Sequence, residues 1–342
     1  MPIKKPRLAL TIGDPAGIGP EVIAGVWADP RLHEWCLPLV VGHPEIMRRA
    51  CALVAPGVKV CDVDAPESAL PAIDRMPCIT ACQAEAADVA PGVIDARAGQ
   101  AAYDALVAAT RLALSGRVDA ITTAPLSKAA LWQAGHHYPG HTELLAELCG
   151  AEQFAMMLYL APDATVRSPG GLGVVHVTLH MSLREALAAL SPAAVLSKIE
   201  LADRAMRPLV AGTPRIGVCA LNPHAGESGL FGDEETRIIA PAVAAAQSAG
   251  FAAAGPYPAD TLMTRARDGE FDAVVAMYHD QGHIALKLLG MHRAVNVTLG
   301  LPIVRTSVAH GTAFDIAWQG TARTTSMIEA IRVAVRIVGS RQ

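Results

Sequence analysis

The chain of 342 residues contains no C-x-x-C pair. Its seven cysteines are scattered, and only Cys78 and Cys82 lie close together. That spacing argues against a cysteine zinc site or a disulfide framework and reads as reduced thiols in a cytoplasmic protein. Charged residues are sparse at 18%, the formal net charge is −4 and no basic stripe stands out, so nucleic acid is not an expected partner. No apolar run approaches the length of a membrane span, and much of the 52% hydrophobic content is alanine, so no membrane partner is expected. The start, Lys4-Lys5-Pro6-Arg7 and a short apolar stretch, imitates a signal peptide but runs straight into a glycine-rich loop, and reads as a first strand. Repeats, low-complexity tails and long polar linkers are also missing, so two lobes would be joined by strands rather than loosely tethered.

What is present is an alternation of short β-branched runs with longer alanine- and leucine-rich segments, the pattern of an α/β protein with largely parallel sheets. The length suits two such lobes. Residues 8–12, 38–41, 119–122, 173–179, 215–221 and 273–278 read as strands, and 154–161 is strand-like. Residues 100–115, 142–148, 183–206 and 236–249 read as helices. Ser182 and Glu185 have capping-box spacing, which starts a helix just beyond His180, and Gly150 is a C-terminal stop. Residues 52–98, rich in Pro, Ala and Asp, are the least legible stretch and read as surface excursions.

Three apolar runs end in histidine-bearing turns, at His180, His224 and His279. Ligands gather beyond the carboxyl ends of strands in open α/β sheets. Three imidazoles projected from such ends can converge on one divalent metal and leave positions open for substrate oxygens and water. The alternative is that each is an ordinary surface or core histidine, as His33, His43, His136, His137 and His292 are expected to be. His176 lies within a strand and reads as packed.

Other polar turns carry two readings each. Gly13 to Glu21 follows the first strand: it is either an anion-binding helix start, with Pro20 in the first turn, or a structural strand-to-helix turn, and it is not G-x-G-x-x-G. His141 and Thr142 stand at a helix N-terminus, where they suit a phosphate or carboxylate; Thr142 can also simply cap the helix. Lys287, Asn296 and Arg305 are either an anion-binding set or solvated side chains. Asp260 and Asp280 either shift protons or support a ligand imidazole, or are turn aspartates.

These segments together closely resemble the 4-hydroxythreonine-4-phosphate dehydrogenase family of vitamin B6 synthesis. The matching stretches are GDPAGIGPEV, TAPLSK, GHTELLAE, NPHAGE, PADTL, AMYHDQGH, LKLLG and NVTLGLPIVRTSV, in preserved order from Gly13 nearly to Gly320. The resemblance implies an isocitrate/isopropylmalate dehydrogenase-like fold: two α/β/α lobes with mostly parallel sheets and a cleft between them. Residues 1–128 with 298–342 would form the lobe contributing to NAD binding. Residues 129–297 would carry the metal ligands and the dimer interface. The resemblance makes His180, His224 and His279 the ligands of one divalent metal per subunit (Zn, Mg or Co). It makes His141, Thr142, Lys287, Asn296 and Arg305 the substrate contacts, and implies a homodimer with shared active sites.

The implied reaction is NAD(P)-dependent oxidation and decarboxylation of 4-hydroxythreonine 4-phosphate, with Lys287 or Asp260 managing protons. Departures from the family pattern are Ala309, Trp318-Gln319 and an insertion at roughly 163–171. The segments around His176 and His283 look more like the branch acting on threonate or erythronate 4-phosphate, and also resemble aromatic cis-dihydrodiol dehydrogenases. A non-redox metal-dependent lyase or hydrolase would use the same histidines.

Overall fold

The computed structural model describes residues 5–340, so the basic start at Lys4 lies outside the described residues. In chain order the strands are β1 (Arg7–Thr11), β2 (Leu37–Gly42), β3 (Lys59–Asp62), β4 (Arg75–Thr80), β5 (Ala120–Thr123), β6 (Ala155–Leu160), β7 (Leu172–His176), β8 (Ile216–Cys219), β9 (Ala253–Tyr257), β10 (Ala273–Ala276), β11 (Val295–Leu299) and β12 (Arg305–Val308). The helices are α1 (Gly19–Trp27), α2 (Pro30–Trp35), α3 (Pro44–Val54), α4 (Ala96–Leu114), α5 (Lys128–Gln133), α6 (His141–Leu148), α7 (Leu183–Ala189), α8 (Pro192–Met206), α9 (Ala240–Ser248), α10 (Ala259–Arg267), α11 (His279–Gly290) and α12 (Thr325–Gly339).

Two compact units result, Met1–Glu152 with Leu301–Gln342, and Gln153–Gly300. The strands of the first run β3-β4-β2-β1-β5-β12, with every pairing parallel. Helix α4 packs across β2, β1 and β5, and α12 lies on β12 and β5. In the second unit the order is β11-β6-β7-β10-β8-β9. Strand β6 is antiparallel to both neighbours, and the pairings from β7 onward are parallel. Central strands such as β6 and β10 are buried along their whole length, as a parallel-type sheet covered by helices requires. Among the described residues no helix is long and apolar enough to cross a membrane.

The α/β architecture matches the expectation; several boundaries do not. The expected helix at 183–206 is two helices, because Pro192 cannot continue α7 and Ser191 caps α8 through the amide of Ala194 at 3.2 Å. Helix α4 starts at Ala96, earlier than expected, since Asp95 caps it through the Arg97 amide at 2.8 Å. The expected helix at 236–249 opens with a π turn, Glu235–Ile239, before α9. Residues 52–98 hide two strands: β3 at the sheet edge, and β4, where Pro77 removes a ladder donor and masks the pattern. The insertion near 163–171 is the connection between antiparallel β6 and β7, with Asp163 accepting the amides of Thr165 and Val166 at 2.9 and 2.7 Å.

The first crossing between units falls after Glu152 rather than after residue 128, so α5 and α6 stay with the first sheet. Close packing of α4 on α5 accounts for this. The buried face of α4 is built from Ala98, Gly99, Ala101, Ala102, Ala105 and Ala109, and a Cβ at Gly99 would stand 2.0 Å from the carbonyl oxygen of Ala130. Glycine-to-alanine within a helix ordinarily stabilises by about 0.5–1 kcal/mol. Here the obstacle is backbone, so Gly99→Ala is expected to destabilise by about 1–3 kcal/mol. A fall in Tm checks this, and a rise would show that α5 gives way.

Candidate functional site

In the second unit, β7, β10 and β8 are adjacent and parallel, in the register Ala276↔His176 and Val275↔Val218. Their carboxyl ends therefore emerge side by side. Beyond them the backbone is sewn together by side chains. Thr178 donates from its amide and its Oγ1 to the carbonyl of Met277, at 3.3 and 2.9 Å. Gln281 accepts from the Met277 amide at 2.7 Å and donates to the Ala220 carbonyl at 2.8 Å. The segments leading to His180, His279 and His224 are thereby tied together. Gln281 was not singled out from the sequence; its signal was its place two residues into a helix start, within reach of the amide four residues before it.

His279 opens α11, and its Nδ1 lies 2.6 Å from Asp280 Oδ1. A carboxylate only accepts, so Nδ1 is the donor, and in the neutral ring this tautomer carries its lone pair on Nε2. The rings of His180 and His279 are 6.0 Å apart. Both line an open cavity of about 520 Å³ with Leu179, Met181, Tyr278 and Asp280. Spacing of four residues places His279, His283 and Lys287 on one face of α11. His283 stacks on His279 at 3.7 Å, and its Nδ1 is 3.0 Å from Nε2 of His176. Burial, followed by the charges of His279 and Lys287, pushes His283 down to about 3. Burial likewise holds His176 well below the ordinary histidine range, so this buried pair is neutral at neutral pH. His176 is packed inside β7, as expected.

His224 is not brought to the other two; its nearest ring partner is Phe231, at 6.4 Å. Among the described residues no group of three His, Cys, Asp or Glu side chains stands in a metal-holding arrangement. The turn that carries His224 is unusual. His224, Ala225, Gly226, Glu227 and Ser228 all have positive φ, from 44° to 78°. Each non-glycine residue in that conformation costs about 1–2 kcal/mol. Glu235, 5% exposed, accepts from the amides of Leu221 and Asn222, both at 2.8 Å, and from the Asn222 side chain at 3.0 Å. Burial pushes the Glu235 carboxyl up, but these hydrogen bonds win and leave it below the ordinary glutamate range, ionised at neutral pH.

The remaining expected residues of this unit are dispersed. Asn296, on β11, donates to Met156 Sδ at 3.2 Å while its Oδ1 is buried without a hydrogen-bond partner among the described residues. Asp260 is exposed in the first turn of α10 and accepts from the Thr261 amide at 2.9 Å, the turn-aspartate geometry.

In the first unit, Gly140 rather than Thr142 takes the N-cap position of α6, with no side-chain cap, and Thr142 lies buried one residue inside the helix. Arg305 is 1% exposed and donates to Thr123 Oγ1 at 2.6 Å. Burial lowers its pKa to about 9, opposed by the charge of Glu143, so it remains cationic at neutral pH. Burial, then the charges of Arg305 and Lys128, holds His141 well below the ordinary range. Lys128 opens α5 behind the Ser127 cap, and its Cε lies 3.6 Å from where a Cβ on Gly140 would stand. A helix N-terminus, two cations and a neutral imidazole form an anion-binding constellation. The sequence reading passed over Lys128, although TAPLSK contained it.

The Gly13–Glu21 turn takes its structural reading. Its leading amides are spent internally: Asp14 on Pro125, Gly17 on Asp14 and Ile18 on Thr312. Asp14 is fully buried, and burial raises its carboxyl to about 6. Glu21 accepts the amides of Trp318 and Gly320, while the Trp318 indole donates to the Pro15 carbonyl at 2.8 Å, under the Arg49 guanidinium. Trp318, a departure from the family pattern, thus braces this turn.

Residues 34–334 match the family described as pyridoxal phosphate biosynthetic protein PdxA. The 4-hydroxythreonine-4-phosphate dehydrogenase of Geobacter metallireducens is 47% identical over 343 residues, covering 99% of this chain and 98% of its own. The D-threonate 4-phosphate dehydrogenase of Pectobacterium atrosepticum is 46% identical over 331 residues, covering 96% and 98%. A crystal structure of 4-hydroxythreonine-4-phosphate dehydrogenase from Klebsiella pneumoniae superimposes with a TM-score of 0.87 at 46% identity, covering 98% of this chain and 100% of its own. Isocitrate dehydrogenase from Methylococcus capsulatus shares the fold, with a TM-score of 0.51 at 15% identity, over 98% and 87% of the two chains. The chain belongs to the PdxA family of dehydrogenases.

Proposed function

We propose that the protein catalyses NAD-dependent oxidation and decarboxylation of 4-hydroxythreonine 4-phosphate with the help of a divalent metal. The observation that carries this is the His180–His279 pair on the open cavity, with Asp280 holding the His279 tautomer that leaves Nε2 free to ligate. Imidazole nitrogens suit Zn²⁺ or Co²⁺, and substrate oxygens would extend the choice to Mg²⁺. His224 is the third donor in this reading. Once bound, the metal would supply Lewis acidity toward the substrate hydroxyl, and NAD or NADP would accept hydride.

The chain's own residues do the rest. Lys128, Arg305 and the start of α6 hold the phosphate, with His141 and Thr142 beside it. Asn296 offers a buried amide to the substrate. Lys287, two turns along α11 from His279, takes the hydroxyl proton and protonates the carbon that loses carbon dioxide; Asp260 is the weaker candidate for this role. The products are 3-amino-2-oxopropyl phosphate, carbon dioxide and NADH. A second reading, threonate or erythronate 4-phosphate giving dihydroxyacetone phosphate, is favoured by the Pectobacterium relative.

A cytoplasmic homodimer with shared active sites completes the proposal. Exposed Leu183 and Leu187 on α7, and Ile284 and Leu288 on α11, support it, because these helices follow directly on two of the ligand histidines. The free cysteines support a reducing compartment.

Three outcomes check this reading. NADH absorbance should appear with hydroxythreonine 4-phosphate only when a divalent metal is present, and side-by-side rates with threonate and erythronate 4-phosphates decide between the two readings; silence on all three overturns both. His180→Ala and His279→Ala should each abolish bound metal in a folded protein, whereas full metal content in the double variant would remove the ligand assignment. Lys128→Ala should lower kcat/KM by roughly ten- to a hundredfold, chiefly through KM, as expected for a lost charged hydrogen bond; an unchanged KM removes Lys128 from the phosphate site.

A further inference from the structure

The turn that carries His224 cannot be explained by its own sequence. Six consecutive residues, His224 to Gly229, have positive φ and four of them are not glycine, so residue type does not favour this shape. Such a conformation persists only where its surroundings over-determine it, and such segments gather at functional sites. One side chain stands out among its surroundings. Glu235 Oε1 takes the amides of Leu221 and Asn222, the two residues that lead into Pro223-His224, both at 2.8 Å. Its Oε2 takes the Asn222 side-chain amide at 3.0 Å and occupies the space a Cβ on Gly226 would need, 2.7 Å away. One buried carboxylate therefore grips the turn before and after His224. Glu235 also begins the π turn Glu235–Ile239, a wide turn of a kind frequent at functional sites.

We propose that Glu235 is a positioning residue for His224, fixing the left-handed turn that presents the imidazole for metal ligation; this rests on the metal reading above. The neighbouring Glu234 is a built-in comparison. It shares the Asn222 side-chain amide at 2.7 Å but takes none of the backbone amides.

The test measures Zn²⁺ affinity by competition calorimetry on the full chain, together with amide hydrogen exchange over residues 220–232. Glu235→Gln keeps the size but turns a donor toward the Asn222 amide. It is expected to weaken Zn²⁺ binding by roughly ten- to a hundredfold, the range for residues that orient metal ligands. It should also raise exchange over 220–232 in the metal-free protein, while Glu234→Gln leaves affinity within about threefold of the unmodified protein, since Glu234 takes no backbone amide. Should Glu235→Gln not fold, Glu235→Asp, which keeps the charge and shortens the reach, is read the same way. Unchanged Zn²⁺ affinity in the folded Glu235 variant, with His224→Ala weakened, overturns this inference alone. Unchanged affinity in His224→Ala itself, or no Zn²⁺ binding by the unmodified protein, overturns the metal reading and this inference with it.

Discussion

Parallel pairing of β7, β10 and β8 is the constraint on which the second unit's chemistry depends. Parallel strands joined by crossovers must all end at the same edge of their sheet, so the chain leaves that edge three times within a short distance. The loops carrying His180, His279 and His224 are neighbours for that reason alone. Strand ends splay unless they are fastened, and here Thr178 and Gln281 do it with side-chain bonds to the backbone of the adjoining segment. A half-buried amide that both donates and accepts suits this, because it satisfies a carbonyl and an amide that the ending ladder would otherwise leave open.

The two units treat charge in opposite ways. In the second, burial keeps His176 and His283 neutral beside His279, and Asp280 orients the half-buried His279 ring. Neutral imidazoles are what a cation requires. In the first, a guanidinium stays buried at Arg305 with Lys128 nearby, and His141 is held neutral between them. A third positive charge there would repel the other two, whereas a neutral imidazole still offers a hydrogen bond to an anion. On the proposed reading, the second unit's arrangement suits a cation and the first unit's an anion.

Glycine and small residues serve packing as much as turning. Gly282 admits His176 against α11, since a Cβ would stand 2.5 Å from its Nε2, and Gly99 lets α5 approach α4. The first of these keeps His283 in contact with His176, and the second keeps Lys128 beside the start of α6. Neither glycine sits in a turn, so neither carried a local signal.

Sequence by itself determined the α/β class, most of the central strands, the Ser182–Glu185 capping box and the residue types at the strand ends, because period, turn chemistry and capping are local. It missed β9, β11 and β12, as well as β3 and β4, where an edge position and Pro77 blur the alternation, and the split of α7 from α8, where a single proline outweighs a continuous apolar period. Only the tertiary structure decided that Lys128 joins His141 and Arg305, that Gln281 and Glu235 hold the strand-end turns, and that the Gly13–Glu21 turn spends its amides internally. Those outcomes rest on hydrogen bonds and burial between residues far apart in the chain, set by sheet register and helix packing, which no local window of sequence contains.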